Sequence, residues 1–121
     1  MTERIRFFLG LEALIFLTAA LIHFGVLFDG YRDQGAGIAE SVICGVLLLG
    51  LIASWMRPEW TRRAGIAVQG FALLGTFVGL TLLLVVGPRS VLDVTIHVLM
   101  VVVLIVGLVV TVRAPPRLSP L

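Results

Sequence analysis

Apolar residues run through the chain in four long blocks, at 7–28, 38–56, 64–86 and 91–112, with short polar breaks between them. An uninterrupted apolar helix of about 20 residues spans a bilayer core of about 30 Å. Each block meets that length, and the pattern predicts four transmembrane helices over those ranges. The strands of a membrane barrel would alternate polar and apolar positions. The block from Val98 to Val110 is apolar almost throughout, which favours helix.

The breaks carry turn chemistry. Asp29, Gly30, Tyr31, Arg32, Asp33, Gln34 and Gly35 form a polar, glycine-flanked break. Arg57, Pro58, Glu59, Trp60, Thr61, Arg62 and Arg63 combine a proline, charges and an interfacial tryptophan. Gly87, Pro88, Arg89 and Ser90 read as a tight turn, with Ser90 placed to cap the fourth helix. Ala114, Pro115 and Pro116 end that helix, because proline cannot continue it. Residues 1–113 are expected to form a single four-helix domain, and 114–121 a disordered cytoplasmic tail. Short connections predict neighbouring helices in an antiparallel bundle. The first block exceeds a signal-peptide apolar core and contains Glu12 and His23, so cleavage is not expected.

Composition reinforces this reading. Hydrophobic residues make up 60% of the 121 residues and charged residues only 13%, whereas soluble domains are roughly half apolar and a quarter charged. The mean hydropathy is +1.14. The four blocks leave no room for a soluble catalytic domain, and independent catalytic turnover is not expected. All nine basic residues are Arg and flank the apolar blocks, with no patch for nucleic acid. A lone cysteine, Cys44, excludes a dithiol redox site within one chain and reads as a packing residue.

Arginine placement predicts topology. Arg4, Arg6, Arg57, Arg62, Arg63, Arg113 and Arg117 fall on one side, against Arg32 and Arg89 on the other. The positive-inside rule then puts both termini in the cytoplasm. The expected location is a cell membrane, with the bacterial inner membrane as the specific expectation.

Ionisable residues within such helices usually face the bundle interior or water. His23, Glu40, Asp93 and His97 all fall near the outer ends of their predicted helices, in one layer about 6 Å thick at 1.5 Å per residue. They form the candidate polar or ligand site. Asp93 and His97 are four residues apart and share a helix face, so a hydrogen bond between them is expected. Any metal or haem would use His23 and His97, with the carboxylates completing the set. Proton or substrate handling by the carboxylate–imidazole cluster, binding of a quinone or lipid headgroup, and simple bonding between helices are the other readings. Glu12 and Gln69 form a second layer toward the cytoplasmic side and are the candidate proton-coupling residues. In the fourth helix Asp93, His97, Met100, Leu104, Gly107 and Thr111 follow one stripe. Gly75 and Gly79 make a GxxxG, which indicates close packing within the bundle or a homo-oligomer face.

The string Arg6-Phe7-Phe8-Leu9-Gly10, continuing through Ile15-Phe16 to His23-Phe24-Gly25, resembles the first helix of the DoxX-like family. Ala39-Glu40 with Gly45 and Leu47-Leu48-Leu49-Gly50 is similar to that family's second helix. The match covers about the first half of the chain. The 29–37 loop is short for the family, and no distinctive match follows Arg57. The resemblance implies a small membrane protein associated with redox function, including quinone-linked thiosulfate oxidation, with Arg6 and Glu40 as the corresponding residues. The functional expectation is an accessory subunit of a membrane redox complex with a quinone-headgroup or other polar site near the outer face. The alternative is a proton-coupled small-molecule transporter acting through Glu12. Small multidrug transporters have a similar length and a Glu in the first helix, but they lack the additional intramembrane His and Asp.

Overall fold

A computed structural model describes residues 1–87 and 90–116. It is all-α. Four helices, α1 (Thr2–His23), α2 (Gln34–Met56), α3 (Thr61–Val85) and α4 (Val91–Arg113), are each long and apolar enough to cross a membrane. They pack together as a bundle. The interior is built from Leu9, Phe16, Leu47, Ala72, Met100 and Leu104. Large apolar side chains such as Leu49, Leu74 and Val102 lie exposed on the outside. So much exposed apolar surface suits lipid rather than water.

α1 stops five residues before the expected end at residue 28. Its end is a Schellman motif, in which the Val26 N–H donates to the Leu21 carbonyl at 2.9 Å and the Gly25 N–H to Ile22 at 3.0 Å. Gly25 supplies the left-handed conformation this requires, with φ +77°. Residues 24–28 are apolar, so periodicity alone continued the helix through them. His23 is therefore the last helical residue rather than one buried several residues deep in a longer helix. The chain then folds back, and the Asp33 N–H donates to the His23 carbonyl at 2.8 Å.

α2 begins four residues earlier than expected. Asp33 caps it, accepting from the Ala36 N–H at 3.1 Å. Gly35 and Gly37 thus belong to the first turns of the helix and not to the loop. A Cβ at Gly37 would fall 2.9 Å from the Phe24 ring, so the absent side chain is what lets the loop lie on the helix.

A 3₁₀ turn, Pro58–Trp60, leads into α3, and the Thr61 hydroxyl donates to the Pro58 carbonyl at 2.8 Å. The expected start of α4 holds. Ser90 Oγ accepts from the Asp93 N–H at 3.0 Å and donates to Asp93 Oδ2 at 2.8 Å, closing a reciprocal cap. The helix ends at Arg113 before Pro115. Ala114 is buried against the core. Pro88 and Arg89 of the expected tight turn, and residues 117–121 of the expected tail, lie outside the described residues.

Arginines tie the first residues of α1 and α3 to the last residues of α2 and α4. Arg6 Nη2 donates to the Ser54 carbonyl at 2.6 Å and its Nε to Ser54 Oγ at 3.1 Å. The Arg6 guanidinium also lies 3.9 Å from the centre of the Trp55 ring. Arg62 Nη2 donates to the Val112 carbonyl at 3.1 Å.

Candidate functional site

The last turn of α1 brings His23 into the bundle, where it meets α2 and α4. His23 Nδ1 lies 2.7 Å from Glu40 Oε2, and Nε2 lies 2.9 Å from Asp93 Oδ1. One imidazole is thereby held between two carboxylates from two other helices. Ionised carboxylates only accept hydrogen bonds, so both ring nitrogens must then carry hydrogen. Two negative groups around one positive ring give the cluster a net charge of −1 in that state.

Asp93 does not hold His97 by its side chain, as the four-residue spacing suggested. Its carboxylate turns to His23 and Ser90 instead. His97 Nδ1 donates to the Asp93 backbone carbonyl at 2.7 Å. The bond from Ser90 holds the carboxylate toward the helix start, away from His97 one turn further on.

The four expected site residues converge. His23, Glu40, Asp93 and His97 all line one cavity of about 590 Å³. Its walls come from the C-terminal parts of α1 and α3 and the N-terminal parts of α2 and α4. The volume falls within the range of about 300–1,000 Å³ common for small-molecule sites. Phe16, Ile43, Leu82, Val86 and Met100 supply apolar lining, and Arg32 and Tyr31 come from the loop after α1. Glu40 is only 5% exposed. Its second oxygen, Oε1, is buried with no hydrogen-bond partner among the described residues. A buried acceptor left unpaired is costly, by about 1–3 kcal/mol or more for a charged group.

Gly75 and Gly79 line the same cavity. A Cβ at Gly75 would meet Ile43 at 3.0 Å, and one at Gly79 would lie 3.7 Å from His97 Nε2. The GxxxG therefore faces the bundle interior, where missing side chains make room beside His97. Arg32, Thr76 and these glycines were not among the expected site residues. The glycine spacing was the available signal, but it reads equally as helix packing.

The residues fit a metal poorly. Both nitrogens of His23 already contact carboxylates, so a metal or haem iron there would displace one of those contacts. Among the described residues no group of three His, Cys, Asp or Glu side chains is arranged to hold a metal.

Glu12 and Gln69 form a separate buried layer. Glu12 is 1% exposed and Gln69 fully buried, and both lie outside the residues lining the cavity. Glu12 sits near the middle of α1, since that helix starts at Thr2. Cys44 packs between helices, its thiol donating to the Ala13 carbonyl at 3.3 Å.

No family model, curated protein or solved structure matches the chain.

Proposed function

We propose that this chain is a multi-pass membrane protein that holds the polar head of a lipid-soluble molecule, with quinone as the leading class, and serves as an accessory subunit of a membrane redox complex. The observation that carries the reading is the convergence of His23, Glu40, Asp93 and His97 on one largely apolar cavity. Such a pocket suits a molecule with a small polar head and an apolar body. The DoxX-like pattern around Arg6 and Glu40 supports the redox setting.

The helices run antiparallel, with both termini in the cytoplasm and the cavity at the outer face. Support comes from the short connections and from the cavity lining, which alternates C-terminal and N-terminal helix parts. The arginine bias supports the orientation. A bacterial inner membrane is the location proposed.

Purification from native membranes in mild detergent, followed by mass spectrometry of bound lipids and co-purifying proteins, tests the reading. A bound quinone or isoprenoid lipid and a dehydrogenase or respiratory subunit are the expected finds. Protein free of both would sink it.

A proton-coupled transporter is the second reading, and the buried Glu12 carboxyl is the observation that favours it. Substrate-driven proton flux in liposomes, lost in Glu12→Gln, would establish that reading instead.

A further inference from the structure

On the four helices, the polar side-chain atoms left open in the cavity wall are acceptors, while the donors of Arg32 and Tyr31 come from the loop after α1. Glu40 Oε2 is taken by His23, and Oε1 has no partner among the described residues. The Thr76 hydroxyl donates its only hydrogen to the Ala72 carbonyl at 2.7 Å, which leaves its lone pairs. His97 Nδ1 carries a hydrogen because it donates to a carbonyl, so in the neutral ring Nε2 is an acceptor. That nitrogen faces the gap at Gly79. Both hydrogens of the His23 ring are consumed by Glu40 and Asp93.

We propose that the cavity selects an amphiphile whose head donates hydrogen bonds through a hydroxyl, of the phenol or hydroquinone type, over one of the same shape that only accepts. This rests on the reading that the cavity holds a polar headgroup. A phenolic O–H gives its hydrogen to Glu40 Oε1, and a second hydroxyl would find His97 Nε2 or Thr76. A carbonyl or ether head seated at Glu40 would instead set lone pairs against lone pairs. The apolar body of the ligand lies along Leu82, Val86 and Met100, which makes a short alkyl chain a suitable tail.

The test compares para-hexylphenol with its methyl ether, which keeps the shape and removes the donor. Binding is measured by titration calorimetry on the full chain in lipid nanodiscs, with empty nanodiscs as the blank. The phenol should bind one per protein, at least about tenfold tighter than the ether, as expected for one hydrogen bond to a charged group. Glu40→Gln, which puts a neutral amide where the phenol finds a carboxylate, should narrow that preference, and Gly79→Val should weaken phenol binding by filling the space beside His97. Equal binding of phenol and ether, or preference for the ether, would overturn donor selection and leave the headgroup reading standing. Binding of neither would overturn both. Phenol binding unchanged in both variants would place it elsewhere and overturn the proposal.

Discussion

Gln69 on α3 grips Glu12 on α1 by both carboxylate oxygens, its Nε2 lying 3.0 Å from Oε1 and 3.2 Å from Oε2. The other side of the same amide is held as well. The Thr111 hydroxyl of α4 lies 2.7 Å from Gln69 Oε1 and 2.8 Å from the Gly107 carbonyl. Three helices are thus joined by one chain of hydrogen bonds in the bundle interior, where water cannot substitute for a missing partner.

Gly107 is the position most sensitive to a small addition. A Cβ there would collide with Glu12 Oε1 and come within 2.8 Å of Gln69 Nε2. Gly107→Ala should destabilise the protein by about 1–3 kcal/mol, the usual range for overpacking. Gly10→Ala is the control, since nothing lies within 4 Å of a Cβ at that site. Thermal unfolding in one detergent should show a lower midpoint for the first variant only.

Gln69→Leu removes the donor and leaves the Glu12 carboxyl buried without it. A loss of about 1–3 kcal/mol is expected. Adding Glu12→Leu should recover part of it, because two apolar groups leave nothing unpaired. If the double variant is as unstable as the sum of the two single ones, the two residues are not coupled.

Replacing His23 tests the other cluster. His23→Phe keeps a ring but strands Glu40 and Asp93 facing each other. Breaking a buried ion pair from one side typically costs about 3 kcal/mol or more. The triple variant His23→Phe, Glu40→Gln, Asp93→Asn should be more stable than His23→Phe alone in the same unfolding assay. The opposite order would mean that the carboxylates do not depend on His23.

Topology has a direct readout. With Cys44 replaced by Ala, Arg32→Cys should react with an impermeant maleimide added to intact cells, and Arg63→Cys only after lysis. The reverse pattern would invert the proposed orientation.

Much of the helix plan is legible in the sequence because run length, proline and N-cap residues act locally. Ser90 and the proline pair fix both ends of α4 on local chemistry alone. The sequence pattern extends α1 beyond its true end because Phe24, Val26, Leu27 and Phe28 hide the stop at Gly25 in an apolar string. Depth along the chain grouped His23, Glu40, Asp93 and His97 in one layer, and all four line one cavity. It could not assign partners, because those depend on helix rotation. Spacing paired Asp93 with His97 on one helix, whereas the structure pairs it with His23 across two. Glu12 and Gln69 show the same division, since their shared level was visible and their contact was not.

The two polar layers differ in what they leave unfilled, and this gives the bundle a cup-like interior. The His23 layer borders empty space, while at Glu12 the amide, carboxyl and hydroxyl close on one another and Gly107 leaves no slack. A molecule seated beside His97 therefore rests above a plug. To continue through the protein it would have to part Glu12 from Gln69 and Gln69 from Thr111, separating α1, α3 and α4 together. On the proposed headgroup reading, a guest would therefore enter and leave by the same mouth.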